Sequence, residues 1–339
     1  MSLDWNTEAL KTFLGQHFGV DADDFTWEPI VGGQSNPTFF ITYAGRRMVL
    51  RKQPSGPILR GAHAVDREFR VLDALSKTTV PVPKPLAFHG DPALLGTPFY
   101  LMERLDGRVF ADASLPGMSP TERRGIYLGM AEALAAMHAV RPDDVGLAHY
   151  GRPGNYFERQ FARWRQQYEE SPSDRIPELD QIIAWLCENM PADDGFTSIA
   201  HGDFRIGNLM FHPTDPRVIG ILDWELSTLG HPLADVGFCS MPWRTSPQEF
   251  GGILGLDHKN LGIPAEEEFV AHYMAKAIPT PELKPFHVAF ALFRFAVIFV
   301  GIADRARSGS AAATNAAQVA PLATRFAIRA LEAAGSVRA

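Results

Sequence analysis

The sequence predicts an α+β fold in which a small N-terminal lobe with an antiparallel sheet and one main helix precedes a larger, mostly helical C-terminal lobe. Runs of β-branched and aromatic residues, separated by turns, dominate the first hundred residues. Apolar residues at helical spacing dominate the remainder. Because the composition changes near Glu103, we place the two lobes at residues 1–103 and 104–339.

The elements of the N-terminal lobe follow from local patterns. An amphipathic helix comes first, then a glycine-containing turn, a hairpin, a second helix and a buried strand that ends at Glu103. In chain order these elements are Thr7–Phe18, Val31–Pro37, the strands Thr38–Tyr43 and Met48–Arg51 around the turn Ala44-Gly45-Arg46, Ala64–Leu75 and Phe99–Met102.

The C-terminal lobe is predicted to be built from helices around one short apolar strand. Ser119-Pro120-Thr121-Glu122 has the pattern of a capping box with proline at the first helical position. The other predicted elements are helices marked by Phe157–Tyr168 and Ile182–Leu186, the strand Val218–Leu222, and a final alanine-rich helix at Ala311–Ala334.

The segment Phe286–Ala303 is apolar enough to resemble a membrane span, but it contains His287 and Arg294. A charge near the middle of a bilayer is costly. We therefore predict a buried helix of the C-terminal lobe, with Arg294 in a structural ion pair or snorkelling; contact with an anionic substrate is the alternative.

The bulk properties exclude several classes of protein. A net charge of −7 argues against a general nucleic-acid binder and does not call for an anionic membrane. Two distant cysteines, Cys187 and Cys239, are too few for a disulfide framework and lack zinc-site spacing. The first residues do not resemble a signal peptide, so we expect a cytoplasmic protein. No pattern indicates an oligomeric state.

One segment has the pattern of a chemical centre: His201-Gly202-Asp203-Phe204-Arg205-Ile206-Gly207-Asn208, with Asp223 after the strand Val218–Leu222. Phosphoryl transfer needs a carboxylate that orients the acceptor, metal ligands, and cations on the phosphates. Asp203 could accept a hydrogen bond from a substrate hydroxyl. Asn208 and Asp223 supply the hard oxygen ligands that Mg²⁺ prefers.

HGDFRIGN followed by ILDWE resembles the aminoglycoside phosphotransferase and choline kinase superfamily, whose signature is HxDxxxxN with a downstream hydrophobic-hydrophobic-Asp. The similarity covers nearly the whole chain. It implies a two-lobed, protein-kinase-like fold and a small-molecule kinase that uses ATP and Mg²⁺. The N-terminal lobe would bind the nucleotide, and the C-terminal lobe would hold the catalytic loop and the hydroxyl-bearing acceptor.

The same resemblance implies the nucleotide-binding residues. GGQSN is similar to the family's short nucleotide loop, although alone it would be interpreted as a hairpin turn. Val49-Leu50-Arg51 matches the strand that normally carries a phosphate-binding lysine; we favour Arg51, because Lys52 would point to the opposite face. The implied residues are Gly32, Gly33, Ser35 and Asn36 of the loop, Arg51, its ion-pair partner Glu68, and Glu103, whose backbone would contact adenine.

Around the catalytic loop, Asp203, Arg205 and His201 are the predicted catalytic residues, with His201 bracing the loop rather than exchanging protons. Asn208, Asp223 and Glu225 are the predicted metal residues, although Glu225 could equally lie behind the ligands. Asp235 is expected to tie the loop through buried hydrogen bonds. Each residue alone could be an ordinary turn or core residue; the complete pattern favours function.

The phrase DWELSTLGHPLADVGF resembles more narrowly the kinase-like domains fused to acyl-CoA dehydrogenases and their stand-alone bacterial relatives. That branch implies a hydroxy acid or hydroxyacyl-CoA as the acceptor. Two alternatives stay open: a regulatory nucleotide-binding module without turnover, which the arginine at position 51 favours, and an aminoglycoside or amino-alcohol kinase.

Overall fold

The computed structural model describes residues 6–30, 36–56, 63–152, 154–307 and 316–335, without the side chains of residues 316–320. These residues form two compact units. The first comprises Met1–Arg108 and Met210–Ser227, and the second comprises Val109–Leu209 and Thr228–Ala339. The antiparallel sheet of the first unit and the mostly helical second unit confirm the predicted fold class.

The first unit is a five-stranded sheet with two helices. Its elements are α1 (Thr7–Phe18), β1 (Thr26–Pro29), β2 (Thr38–Tyr43), β3 (Arg46–Lys52), α2 (Val65–Leu75), β4 (Pro85–His89) and β5 (Phe99–Glu103). The strand order is β1-β2-β3-β5-β4, and all neighbours are antiparallel. The alternating burial of β2 directs Phe39 and Ile41 into an apolar core with Leu10 and Leu14 of α1.

The predicted hairpin forms, and its turn residues explain why. Ala44 and Gly45 both have positive φ, at 51° and 68°, as two-residue hairpins require. The carboxylate of Asp24 accepts their two backbone N–H groups, each at 2.7 Å. Strand β4 was missed because prolines precede and begin it. It lies at the edge of the sheet, where proline is tolerated.

The second unit begins with α3 (Pro120–Ala139), α4 (Tyr156–Glu169), α5 (Pro177–Glu188) and the short strand β6 (Ser198–Ala200). Helix α3 starts at the predicted capping box. The hydroxyl of Ser119 accepts the N–H of Glu122, and the Glu122 carboxylate accepts the N–H of Ser119.

The chain then returns to the first unit as a hairpin of β7 (Leu209–Phe211) and β8 (Val218–Ile221). The N–H of Ile221 donates to the carbonyl of Pro81, and the backbones of Arg108 and Phe211 exchange hydrogen bonds at 2.8 Å. The first unit therefore includes residues 104–108 and 210–227, which the sequence boundaries had assigned to the C-terminal lobe. Composition could not reveal this, because hydrogen bonds between distant segments determine it.

The rest of the second unit is β9 (Thr228–Gly230), which pairs with β6, followed by α6 (Pro232–Cys239), α7 (Met241–Arg244), α8 (His258–Leu261), α9 (Glu266–Lys276), α10 (Pro285–Arg307) and α11 (Ala316–Ala333). Residues 311–315 of the predicted last helix lie outside the described residues. Among the described helices, α10 alone is long and apolar enough to cross a membrane, yet 72% of its most apolar window is buried. It is therefore a core helix, as predicted.

Candidate active site

In the first unit, Arg51 is surrounded by acids. Strand β3 presents its guanidinium so that Nε lies 2.8 Å from Oε2 of Glu68 and Nη2 lies 2.7 Å from Oδ1 of Asp223. Glu225 is farther away, at 3.9 Å. The predicted Arg51–Glu68 ion pair is confirmed, although the N–H at Nε is not aligned for a hydrogen bond. Burial lowers the pKa of Arg51, but the charges of Glu68 and the other acids outweigh burial and raise this pKa above its usual range.

The neighbouring cation, Lys52, lies on the other face of β3. Its Nζ donates to the carbonyl of Leu95 at 2.7 Å, and burial lowers the pKa of the amine. Successive side chains of a strand point to opposite faces, so only Arg51 can reach the acids. The structure thus places Arg51, and not Lys52, beside the acids; the role of Arg51 as the functional cation stays a prediction.

Glu68, on α2, is 1% exposed and holds a buried polar network together. Its carboxylate accepts hydrogen bonds from Nδ2 of Asn36 at 2.6 Å and from the hydroxyl of Tyr100 at 3.1 Å. Burial raises the pKa of Glu68 to about 7, although Arg51 opposes this. Of the predicted loop residues, Asn36 is described, whereas Gly32, Gly33 and Ser35 lie outside the described residues. Asn36 thereby connects that loop to the ion pair.

Glu103 ends β5, opposite Met48 of β3. Its backbone N–H donates to the carbonyl of Lys84 at 2.9 Å, and its Oε1 accepts the N–H of Lys84 at 3.0 Å. The side chain is thus used for a local backbone contact, and the contact between the Glu103 backbone and adenine stays a prediction.

Asp223 follows β8 in a left-handed conformation, with φ of 63°. A non-glycine residue at positive φ costs free energy and persists only where its surroundings hold it. The next residue, Trp224, is 2% exposed, and its indole N–H donates to the carbonyl of Ile221 at 2.9 Å. This anchor holds the turn and directs the Asp223 carboxylate towards Arg51.

In the second unit, the catalytic loop is anchored by Asp235 of α6, as predicted. Its two carboxylate oxygens accept the backbone N–H groups of His201 at 2.7 Å and Gly202 at 2.9 Å. His138 of α3 approaches Oδ2 of Asp235 at 3.3 Å. Burial raises the pKa of Asp235, but the hydrogen bonds from His138 and Gly202 outweigh burial and hold this pKa below its ordinary value. The loop is therefore fixed by an ionised, buried carboxylate.

Asp203 has one engaged oxygen and one available oxygen. Its Oδ2 accepts Nδ2 of Asn208 at 2.7 Å and lies 3.3 Å from Nε of Arg205. Within the described residues, Oδ1 has no hydrogen-bond partner, and the side chain is 23% exposed. A carboxylate that is oriented through one oxygen can accept a proton at the other.

Asn208 suits a metal because of how its amide is held. Its Nδ2 donates both to the backbone carbonyl and to the carboxylate of Asp203, so the amide oxygen is the free end. The oxygen donors of Asn208 and Asp223 fit Mg²⁺ chemically, since Mg²⁺ binds few protein oxygens and keeps water and phosphate ligands. No cluster of three His, Cys, Asp or Glu side chains with metal spacing occurs in the described part of the chain.

His201 and Arg205 have different roles. His201 is fully buried and its Nδ1 accepts the N–H of Asp203 at 3.2 Å, so it braces the loop as expected. Arg205 is about half exposed, and the chain places its guanidinium beside the Asp203 carboxylate.

A cavity of about 100 Å³ adjoins this loop and is lined by Phe204, Arg205, Ile206 and Gly207. Its other walls are mainly apolar and contain no described acidic side chain; they include Tyr127, Met130, Phe238, Met241 and Phe295. A larger cavity of about 900 Å³ in the same unit is lined by other segments and by none of residues 201–208.

Two residues of these networks were missed by sequence reasoning. Tyr100 pairs with Arg51 across β3 and β5, so the register of the sheet would have placed both on one face. His138 lies in a correctly predicted helix, but nothing in the local pattern connects it to Asp235. Neither residue has a signal of its own in the sequence.

Comparisons with known proteins agree with this geometry. The model of the phosphotransferase enzyme family matches residues 26–275. The chain is 45% identical over 319 residues to the Arabidopsis thaliana protein named probable acyl-CoA dehydrogenase IBR3, covering 89% of this chain and 39% of that protein. It is 40% identical over 315 residues to acyl-CoA dehydrogenase family member 11 of Rattus norvegicus, covering 90% and 40%. The chain thus spans about two fifths of the length of these relatives.

Solved structures agree at the level of the fold. A Ralstonia eutropha crystal structure, named for the aminoglycoside phosphotransferases, is 43% identical with a TM-score of 0.87, covering 99% of this chain and 100% of the other. Aminoglycoside phosphotransferase APH(4)-Ia in complex with ADP and hygromycin B is 16% identical with a TM-score of 0.61, covering 95% and 98%. The chain belongs to the phosphotransferase enzyme family and has its protein-kinase-like fold.

Proposed function

We propose that this chain is a small-molecule kinase that uses ATP and Mg²⁺ to phosphorylate a hydroxyl of an acceptor with an apolar body, a hydroxy acid or a hydroxyacyl-CoA. The observation that carries the proposal is Asp203, whose carboxylate is held through Oδ2 and available at Oδ1. Family membership supports the reaction class, and the cavity beside the loop supports the acceptor class.

Each residue of the site has a separate role in the proposed phosphoryl transfer. The acceptor oxygen attacks the γ-phosphorus, the bond to the leaving ADP breaks, and the hydroxyl proton passes to Oδ1 of Asp203. Asn208 keeps this carboxylate in place, and its amide oxygen would be a ligand for the metal. The carboxylate of Asp223 is the candidate metal ligand of the first unit. Bound Mg²⁺ would neutralise charge on the phosphates. Arg51 can add a planar cation suited to phosphate oxygens.

The acceptor class follows from the lining of the small cavity. Arg205 is its only described charged side chain, and aromatic or aliphatic groups form most of the rest. A polycationic aminoglycoside would need acidic partners, which this lining lacks. An aliphatic chain bearing a hydroxyl would instead bury its carbon atoms there, at about 25 cal/mol per Å² of apolar surface.

The test is Mg²⁺-dependent ADP release against 3-hydroxyhexanoate, 3-hydroxyhexanoyl-CoA, kanamycin, choline and glucose. We expect release with one of the first two compounds and a fall of about 10²- to 10⁴-fold in kcat for Asp203→Asn. Asp215→Asn, a change in an exposed turn, serves as the matched control and should leave kcat unchanged. Wild-type turnover by Asp203→Asn would refute the role of Asp203.

A second candidate is a nucleotide-binding module without turnover. The contact between Arg51 and Asp223 favours it, because the guanidinium occupies an oxygen that would otherwise be open to metal. Calorimetry separates the two proposals. Nucleotide binding that is independent of Mg²⁺, with no ADP release on any acceptor, would support the module; binding that requires Mg²⁺ would support the kinase.

A further inference from the structure

Helix α10 contains one ionised side chain in its apolar part. Between Phe286 and Ala303 the segment is almost entirely aliphatic and aromatic, apart from His287 and Arg294. Burial lowers the pKa of His287 to about 4, so this histidine is neutral at pH 7. Arg294 therefore carries a charge between Phe293 and Phe295, which belong to an apolar cluster of the second unit.

The predicted ion pair of Arg294 is not present in the described structure. Its guanidinium carbon lies 5.5 Å from the ring centroid of Trp164 and 6.0 Å from that of Phe238. Its Nε is buried without a hydrogen-bond partner among the described residues. Sequence could not show this, since the residues that face Arg294 come from α4 and α6.

Other arginines of the same unit, whether partly buried or exposed, have acidic partners. Arg329 pairs with Glu249 at 3.0 Å, and Arg244 contacts Glu266. A buried charge without a counter-ion is costly, and contact with aromatic rings offsets only part of that cost. A ligand anion would supply the missing charge. A planar guanidinium suits a carboxylate or phosphate particularly well because it can donate two parallel hydrogen bonds.

One neighbour of Arg294 connects its surroundings to the cavity beside the catalytic loop. Phe238, over which the guanidinium lies, also lines the cavity beside the catalytic loop. The Sγ of the adjacent Cys239 donates to the carbonyl of Phe204 at 3.1 Å. The guanidinium of Arg294 therefore lies over a ring that lines the cavity beside the catalytic loop.

We propose that Arg294 binds an anionic oxygen group of the acceptor and makes the enzyme selective for acidic acceptors. The group is the carboxylate of a free hydroxy acid or a phosphate of a thioester carrier. This assignment rests on the proposed kinase function for its role in turnover. The binding of an anion at Arg294 can be measured without turnover.

The first experiment measures binding of hexanoate and of the neutral hexan-1-ol by ligand-observed NMR. Arg294→Met should weaken hexanoate binding at least tenfold and change hexan-1-ol binding less than twofold. Arg163→Met is the matched control, because the Arg163 guanidinium lies 5.2 Å from the same Trp164 ring but on the exposed side of α4. It should change neither ligand. Equal hexanoate affinities of wild type and Arg294→Met would overturn the proposal for a carboxylate.

The second experiment measures turnover. For 3-hydroxyhexanoate, Arg294→Met should raise KM at least tenfold with kcat within about threefold, while KM for the neutral hexane-1,3-diol stays unchanged. A matching rise in KM for 3-hydroxyhexanoyl-CoA alone would identify the phosphate as the anion. Unchanged KM values for both anionic acceptors would overturn the proposal.

Arg294→Lys keeps the positive charge but cannot donate two parallel hydrogen bonds. Its hexanoate affinity and its KM should lie between those of wild type and Arg294→Met. It replaces Arg294→Met if that variant does not fold. The two proposals can fail separately. Hexanoate binding that depends on Arg294, in a protein that phosphorylates no acceptor, would refute the kinase proposal and support the anion site. Phosphorylation whose KM does not change in Arg294→Met would support the kinase proposal and refute the anion site.

Discussion

The two units each bury one carboxylate beside their functional residues, and the two groups behave oppositely. Glu68 and Asp235 are both 1% exposed. Burial raises the pKa of Glu68 to about 7, whereas the pKa of Asp235 lies below its ordinary value because hydrogen bonds overcome burial. Similar burial therefore produces different charge states.

The donors explain the difference. Asp235 forms a hydrogen bond with His138, the largest cause that lowers its pKa, and also accepts two backbone N–H groups that the fold holds in place; donors aimed at a carboxylate favour its ionised form. Glu68 depends on side chains, and its cation Arg51 is shared with Asp223 and Glu225. The comparison teaches that Asp235 is a permanent part of the scaffold, while the charge of Glu68 responds to what Arg51 binds.

The largest expected effect is that of Asp235→Asn. The amide nitrogen would face a backbone N–H of the catalytic loop, so we expect a loss of about 3 kcal/mol in unfolding free energy and a large loss of turnover. Urea denaturation measures the first quantity. Asp73→Asn, at an exposed pair with Lys77, is the control and should change stability by less than about 1 kcal/mol. A loss as small as that of the control would contradict the scaffold role.

A smaller, pH-dependent effect is expected for Glu68→Gln. The folded pKa of Glu68 lies above its unfolded value, so wild type loses stability as pH rises from about 4.5 to about 7. Glutamine does not titrate, so the unfolding free energy of the variant, relative to that of wild type, should rise by up to about 3 kcal/mol between pH 4.5 and pH 7. Denaturation midpoints at pH 5 and pH 8 measure the change. The exposed Glu169→Gln, whose partner Arg165 keeps its charge at both pH values, should show no such trend. The same difference from wild type at pH 5 and pH 8 for Glu68→Gln would contradict the raised pKa of Glu68.

The smallest effect is that of Tyr100→Phe, which removes one donor to Glu68 without changing the ring. We expect a loss of about 1 kcal/mol in stability at pH 8. Because the Tyr100 hydroxyl favours the ionised carboxylate, the loss should shrink at pH 5. The buried Tyr127→Phe, whose hydroxyl donates to the carbonyl of Ala113, is the matched control. Its cost should be similar at both pH values, and an identical profile for Tyr100→Phe would rule out the coupling to Glu68.

Local patterns in the sequence determined the elements and the order of the functional motifs. Helix α1, the hairpin of β2 and β3, and the capping box of α3 depend on neighbouring residues, so short-range spacing was enough to predict them. The same holds for the loop His201–Asn208, whose residue types and spacing indicated phosphoryl transfer before any contact was known.

Tertiary structure decided what depends on distant segments. It placed residues 210–227 in the first unit, connected Asn36 to Glu68, and left Arg294 among aromatic rings with no acidic partner among the described residues. Burial and charge compensation are set by residues far apart in the chain, and periodicity carries no information about them. The sequence by itself therefore determined which chemical groups the protein carries, and the fold alone decided which of them are paired.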